Sequence, residues 1–548
     1  MDIRICLLLA AEAGLALVLL WSAGVLRKPA HVLCAVLLLA AAFVLRGLCL
    51  NYETSDYTQF LTVWVNFFRT HGGLATLRES VGNYNVPYLT FLALISGSSL
   101  PDLYLIKLFS IFFDVVLAWS VMQLVGLFRR EAVWKLAAFF LVLFWPTVML
   151  NSALWGQCDS VYAALAVLSV YLVLAGHPVL GVVSIGASFA FKLQAVFVMP
   201  VFLLFWLTRR VKLRHALAFP ATCVVMVLPA VIAGRRLWDA LTIPFQQTGS
   251  IGTGLNYNSS SVFALFTEVR DPEIAAKLGI GAAALVIVLL AVWFWLHRDN
   301  CSDRALVLAA ALLAVAIPFF LPHMHDRYFF AADALTLALA AAWPQLVLPA
   351  VLCEFASLLG YHAYLRMRYL LPMCVPVAYS VAHILLYYKD RHVWDRFANL
   401  LFKINGTIVA LVIVAMPVLI HLFVYGRGII DHGTAIFVDV LCLAVLWYLI
   451  RSMRLHKIID MVAILFLIAE CFMIKSIGMA FGNPDKHSIH EVVKQENVKH
   501  LPFYHPASED LRIEMVYQAG RKILPVDVND LNDIASKAPC VLVTREPL

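Results

Sequence analysis

Phe319-Phe320-Leu321-Pro322-His323-Met324-His325-Asp326-Arg327-Tyr328-Phe329-Phe330 decides what kind of fold this chain adopts. An apolar run halts at a proline, polar and charged side chains follow, and aromatic residues resume at once. Charge wedged between two apolar runs sits at the depth of a bilayer interface, where it is costly unless it is used. The rest of the chain agrees. Of its 548 residues 62% are hydrophobic and only 14% charged, more apolar surface than a water-soluble protein can bury. The expected fold class is an all-α polytopic membrane protein.

Runs long enough to cross roughly 30 Å of hydrocarbon recur near 5–26, 31–50, 104–128, 134–150, 160–176, 193–208, 216–233, 279–297, 304–321, 328–343, 345–361, 369–388, 405–425, 434–451 and 458–481. That predicts about 14–16 membrane helices. The first run exceeds the apolar region of a signal peptide and is followed directly by Arg27-Lys28, so it reads as a span. The stretch 180–192 is too short to cross alone and is expected as a broken helix leading into 193–208.

Basic residues give the orientation. Arg27-Lys28, Arg129-Arg130, Arg209-Arg210-Lys212-Arg214, Lys389-Arg391-Arg396 and Arg451-Arg454-Lys457 mark the cytoplasmic side. Residues 51–103, 151–159, 234–278, 322–327 and the tail from 482 then lie outside. Arg235-Arg236 and Arg366-Arg368 break this pattern. The net charge of +7 thus reports membrane orientation, and no basic, aromatic-interleaved patch suggests nucleic acid. Most of the eleven cysteines fall in apolar runs without CxxC spacing and read as packing residues. A bridge between Cys158 and Cys540, both expected outside, stays open.

Two regions are predicted to have local structure outside the bilayer. In 51–103, Tyr57, Phe60, Leu61, Trp64 and Phe68 share one face of a helix over Tyr57–Thr70, an amphipathic pattern suited to an interface. Gly72-Gly73 ends it, and a short apolar helix opens at Pro87. From Gly482 charge density rises. Leu501–His505, Lys522–Val526 and Cys540–Thr544 read as strands, and Glu509–Gln518 and Asp530–Ala538 as helices. The chain is therefore divided into a membrane domain, 1–481, and a small extracytoplasmic α/β domain, 482–548.

Several polar residues are candidates for chemistry. Asp56 follows a span and could take a proton from an attacking hydroxyl; its plainer alternative is a helix N-cap. Glu53 is the weaker acid beside it. His325 and Arg327 form a phosphate cradle on paper, since a guanidinium fork suits phosphate oxygens; the alternative is a solvated turn. Lys192 sits at the break of the broken helix, where ligand sites are often built, or else it snorkels to the interface. Trp155 could stack on a sugar face while Gln157 and Asp159 bind hydroxyls, or Trp155 is an aromatic-belt residue. Asp114 and Glu354 lie inside spans and read as structural, each with a buried partner; Lys107, two turns from Asp114, is within reach of it. No P-loop, GxSxG or metal-spaced His/Cys set is present.

Taken in order, Asp56-Tyr57, Trp64, Gly72-Gly73, Asn83-Tyr84-Asn85-Val86-Pro87-Tyr88, Trp155-Gly156-Gln157-Cys158-Asp159, Phe191-Lys192-Leu193-Gln194 and His325-Asp326-Arg327-Tyr328 resemble the GT-C superfamily of membrane glycosyltransferases. The likeness is to bacterial relatives of the GPI-anchor second mannosyltransferase, and more distantly to ER glucosyltransferases that extend lipid-linked oligosaccharides. It covers roughly 50–330. Asp326 stands where the family's His motif usually has Glu, and the span 5–26 is extra. The resemblance implies an inverting transferase of the outer face of a bacterial plasma membrane, moving a mannose- or glucose-type hexose from polyprenyl phosphate to a glycan, lipid or envelope acceptor. It implies Asp56 as general base and Lys192, His325 and Arg327 on the donor phosphate. Glu53, Tyr57, Asn85, Trp155, Gln157, Asp159, Gln194 and Asp326 are expected around sugar and acceptor. No cofactor is required; a divalent metal on Asp56 or Asp159 is allowed but not indicated. The partners are the lipid-linked donor, the acceptor and membrane lipids, with no nucleic acid; sugar, acceptor and oligomeric state are not specified. Two rivals survive from other classes: a lipid or oligosaccharide transporter, and a glycan ligase or polymerase using external arginines such as Arg235, Arg236, Arg366 and Arg368.

Overall fold

A computed structural model describes residues 2–247, 254–265, 269, 271–366, 377, 380–381, 500–506, 523–526, 539 and 541–542. Helices α1 (Ile3–Ser22) and α2 (Pro29–Cys49) form a hairpin. The loop after α2 makes a π-type turn at Tyr57–Leu61 that runs into α3 (Thr62–His71), and then α4 (Val86–Ile95). These are the short apolar helix and the amphipathic helix expected, save that Phe60, placed on the apolar face by its spacing, is exposed. Leu61, Trp64, Val65 and Phe68 are the amphipathic helix's buried face, and Gly72 ends it at φ 101°, a conformation glycine adopts without strain.

Next come α5 (Asp102–Gly126), α6 (Ala132–Phe144), α7 (Pro146–Met149), α8 (Asp159–Leu174), α9 (Pro178–Phe191), α10 (Val201–Leu207), α11 (Ala218–Ile232) and α12 (Leu237–Gln247). Strand β1 (Asn256–Tyr257), α13 (Pro272–Leu296), α14 (Asp303–Phe320), β2 (Met324–His325), α15 (Phe330–Ala342) and α16 (Val347–Arg366) complete the membrane part. Among the described residues seven helices are long and apolar enough to cross a membrane, and one further pair, 132–144 with 146–155, is bent by 51°. The protein is an all-α polytopic membrane protein. Leu7, Trp21, Leu33, Val44, Ile232 and Trp295 are exposed on α1, α2, α11 and α13, as lipid-facing helices require. The sides of α5, α8, α14 and α15 form the core. The expected spans 369–388, 405–425, 434–451 and 458–481 lie outside the described residues, apart from isolated positions near 380.

The stretch 178–191 corrects the expectation. It is a return leg, not a lead-in to 193–208. Ser184 donates to the carbonyl of Leu165, Ser188 to that of Tyr162, and Lys192 bonds Asp159. Moving up α9 is moving down α8, so the two lie antiparallel along their lengths. The extra leg puts 209–214 at the same end as the other basic turns. There Lys135 reaches the Ala23 carbonyl, Arg129 that of Ala342, and Arg210 pairs with Asp303 at 2.5 Å. The opposite end holds Arg4 on Ser99 and Arg235 on Ser80, so the exception at Arg235 is real.

Arg46, Asp114, Lys107 and Glu354 in the bilayer part have polar partners, as burial demands. Arg46 donates to Asp114 Oδ2 through Nε and Nη2 at 3.0 and 2.9 Å, and Ser152 and Ser160 add hydroxyl donors to the same carboxylate. The partner is thus Arg46 and not Lys107. Lys107 instead donates to the carbonyls of Cys49, Leu50 and Tyr52 at the end of α2, where a cation suits the helix dipole. Glu354 accepts from Thr147 N–H and Oγ1, both at 2.7 Å.

In the tail, β3 (Phe503–Pro506), β4 (Ile523–Val526) and β5 (Val541–Leu542) form a parallel sheet in the order β4-β3-β5. Each strand overlaps one read from the sequence. The helices expected at 509–518 and 530–538 lie outside the described residues. Cys158 is a buried free thiol; Cys540 also lies outside them.

Candidate active site

Asp56 does not cap a helix. Its backbone is already helical (φ −59°, ψ −39°) and its carboxylate makes no capping bond. It turns instead toward the bundle. Trp155 Nε1 donates to Oδ2 at 2.9 Å, Gln157 Nε2 to the same oxygen at 2.5 Å, and Tyr364 O–H to Oδ1 at 2.8 Å. Arg327 Nη1 stands 3.8 Å from Oδ2. Three neutral donors from two distant segments fix the carboxylate's direction, and it stays partly exposed in the cavity.

Two π-type turns make this convergence possible. One, at Tyr57–Leu61, follows Asp56; the other, Leu150–Trp155, ends at Gly156 with φ 78°. A π turn inserts one extra residue in a helix and rotates the side chains beyond it, a device common at functional sites. The second turn aims Trp155 and Gln157 at Asp56 and carries Asn151 to Asp159. Asn151 Nδ2 donates to Asp159 Oδ2 at 2.9 Å, and the Asp159 N–H returns to Asn151 Oδ1 at 3.3 Å.

Lys192 occupies the break after α9 in an extended conformation (φ −152°, ψ 133°), so the reading of a helix break is correct. Its ammonium meets Asp159 Oδ1 at 2.5 Å and lies over the Tyr84 ring. It is buried, and does not snorkel to solvent.

The His325 segment is pinned on both sides. β1 and β2 pair in parallel, with Tyr257 opposite His325 and their rings stacked 4.7 Å apart. Beneath, Gly360 of α16 comes so close that an added Cβ would lie 2.8 Å from the Asn258 carbonyl and 3.0 Å from that of Asp326. Burial first, and then the charge of Arg327, pull the His325 imidazole down to about 4. It is therefore neutral near pH 7 and contributes a donor, not a charge. Burial pushes the Asp326 carboxyl up to about 7, and its Oδ1 has no hydrogen-bond partner.

Arg327 lies among three carboxylates, 3.8 Å from Asp56, 3.6 Å from Asp159 and 3.6 Å from Asp326. These are contacts of charge without hydrogen bonds; the buried Nε faces Asp159 and makes no hydrogen bond. A cavity of about 610 Å³ opens beside it, lined by Asp56, Asn85, Gln157, Lys192, Gln194, His325, Arg327 and Tyr364 on its polar side. Phe60, Leu61, Val196, Phe197, Ile280 and Leu321 line its apolar side.

The structure thus brings Asp56, Lys192, His325, Arg327, Asn85, Gln157 and Gln194 to one cavity. Others expected there are placed differently. Trp155 is fully buried, stacked on Tyr364 at 4.8 Å with Arg327 also against its ring. It offers no open face to a sugar, and it holds Asp56 instead. Asp159 is buried between cations rather than turned to a hydroxyl. Tyr57 bonds Asp102 and Glu53 is exposed; like Asp326, they do not line the cavity. The sequence reading gives no role to Tyr361 or Tyr364, nor to Asn151 or Tyr84, although Tyr84 lies in one of the motifs that carry the resemblance. Tyr361 and Tyr364 share a face at the end of a span, next to Arg366 of the irregular charge pattern. Among the described residues no group of three or more His, Cys, Asp or Glu is placed to hold a metal.

Fold and cavity together define a polytopic membrane protein with a carboxylate and two cations gathered at one end of its bundle. Residues 83–322 match the model of Glycosyltransferase family 87. That similarity indicates a membrane glycosyltransferase, a transferase with a sugar donor and an acceptor. The match covers Gln157, Asp159 and Lys192, begins after Asp56 and ends just before His325. No curated protein sequence matches the chain.

Proposed function

We propose that this protein is an inverting glycosyltransferase that moves a hexose of the mannose or glucose type from polyprenyl phosphate to a glycan, lipid or envelope acceptor. It would act on the extracytoplasmic face of a bacterial plasma membrane, as the basic turns at the other end of the bundle support. The observation that carries the reading is Arg327. A guanidinium in charge contact with Asp56, Nη1 at 3.8 Å without a hydrogen bond, opens with Lys192 on one cavity whose other wall is apolar. A base, a phosphate cradle and an apolar wall suit a prenyl-phosphate sugar.

In this scheme the acceptor hydroxyl gives its proton to Asp56 as its oxygen bonds the anomeric carbon. The bond from that carbon to the phosphate oxygen breaks, and its electron pair leaves with the phosphate. Negative charge therefore moves from Asp56 to the leaving group. Arg327 lies between them, and as Asp56 is neutralised the guanidinium is released to the phosphate. Such fixed donors stabilise charge where it develops. Lys192 adds the second cation and neutral His325 a donor. No metal is needed in this scheme.

Asp56→Asn keeps the shape and the Trp155 and Gln157 contacts but removes the proton acceptor. Transfer from a polyprenyl-phosphate sugar should fall by about 10² or more, with detergent stability near that of the parent. Retained activity would end the assignment of Asp56 as base.

A further inference from the structure

Asp159, like Asp326, is a charged residue of this site with no work in the scheme above. It is fully buried, behind the cavity wall rather than in it. Its environment is nonetheless built with care. Oδ1 takes Lys192 at 2.5 Å. Oδ2 takes the Asn151 amide at 2.9 Å and faces Arg327 Nε at 3.6 Å. Asn151 is itself held by Tyr361, whose oxygen accepts at 3.0 Å. One carboxylate thus touches both cations of the proposed cradle, and an amide from the π-type turn prevents it from swinging away.

Charge arithmetic gives this a consequence. Lys192 and Arg327 supply two positive charges, against Asp56, Asp159 and the fraction of Asp326, pushed up to about 7 by burial, that is ionised near neutral pH. The donor is a phosphodiester with one negative charge, whereas the product is a phosphomonoester carrying about −1.5 to −2 near neutral pH. Two unopposed cations in a low-dielectric site would grip the product more strongly than the donor, and turnover would stall on release. We propose that Asp159 is a built-in counter-ion that sets the strength of the cradle, weakening its hold on prenyl phosphate so that product leaves. This deepens, and rests on, the phosphate-cradle reading. Asp159 is a positioning residue here, acting through Lys192 and Arg327 without touching substrate.

The test is equilibrium binding of farnesyl phosphate to the full-length protein in detergent, with inorganic phosphate as a second ligand to separate headgroup from chain. Asp159→Asn keeps the side-chain shape and one acceptor while removing the charge. It should tighten farnesyl phosphate binding by about tenfold, as loss of one nearby like charge does in a protein interior, and lower kcat through slow release. Lys192→Met should weaken binding by a similar factor. The double variant, Asp159→Asn with Lys192→Met, restores the charge balance and should return to within about threefold of the parent. A merely structural Asp159 gives the opposite order, with every substitution weakening binding and the double variant weakest. That order, or an unchanged affinity in Asp159→Asn, overturns the counter-ion. Should Asp159→Asn fail to fold, the double variant decides: near-parental affinity supports the proposal and additive loss overturns it. The underlying reading fails separately, if farnesyl phosphate does not bind the parent or binds Arg327→Ala equally well.

Discussion

Three carboxylates surround one guanidinium, and burial gives each a different part. Asp56 is reachable from the cavity, Asp159 is buried with two cations, and Asp326 is buried with Oδ1 3.6 Å from Arg327 and without a hydrogen bond. Asp326, pushed up to about 7 by burial, takes a proton as pH falls through neutrality. Arg327 then loses one competing carboxylate, so prenyl-phosphate binding should tighten below about pH 7. The ligand's own titration works against this and is the same in every variant, so Asp326→Asn should abolish only the protein's part. Identical pH profiles for parent and Asp326→Asn would refute it. The stability contribution has the same sense. With a folded value above the ordinary carboxylate range, Asp326 favours the folded state at low pH and loses this between about 4 and 7 as pH rises. His325, held down at about 4, works the other way and costs stability as pH falls from about 6.5 to 4. Tyr364 makes a second prediction. Tyr364→Phe keeps the stack on Trp155 but loses the 2.8 Å bond to Asp56. We expect kcat to fall about tenfold, near the worth of one hydrogen bond to a charged group, with KM for the donor little changed. An equal loss in donor affinity would make Tyr364 a binding residue instead.

At the level of elements, the legible features are those that are periodic or local. The face of α3, the proline start of α4 and the break at Lys192 follow from spacing and residue type, and the structure has all three. The role of Trp155 is not legible in the same way because its partner is remote. Tyr364 is 308 positions from Asp56 in the chain, and no local pattern announces that α16 returns to cover the indole. Helical spacing matches Lys107 to Asp114, yet Arg46 from another helix reaches Asp114 first. Such pairings are decided by packing between helices, which one sequence does not display. The docking of α16 rests on Gly360, where an added methyl would meet two backbone carbonyls at 2.8 and 3.0 Å. Backbone atoms cannot rotate away as a side chain can, so Gly360→Ala should push α16 off the His325 segment at a cost of about 1–3 kcal/mol. Tyr361 and Tyr364 would withdraw with it. Activity should fall while membrane insertion persists, and the unfolding temperature in detergent should drop. Undiminished activity would show that the close approach is unimportant to the site.

The molecule as a whole is polar in the sense of a compass. One end gathers the candidate active site with Arg4 and Arg235; the other gathers Arg129, Lys135, Arg209, Arg210 and Arg304. Alternation reaches this arrangement only because α9 crosses as a separate leg against α8, and counting apolar runs by length alone omits it. Fourteen residues rise only about 21 Å, too short for lipid exposure but sufficient when neighbouring helices shield the ends. Positive charge is retained on the cytoplasmic side during insertion, so the site end should be extracytoplasmic. Ser80 and Asn300 are exposed at opposite ends. In a variant lacking native cysteines, Ser80→Cys should react with a membrane-impermeant maleimide in intact cells, and Asn300→Cys only after lysis. The reverse would place the cavity in the cytoplasm, where soluble nucleotide-sugar donors are at hand, and would remove the topological support for a lipid-linked donor. Labelling of both in intact cells would mean that α9 does not cross and that the chain folds otherwise between Ser80 and Asn300.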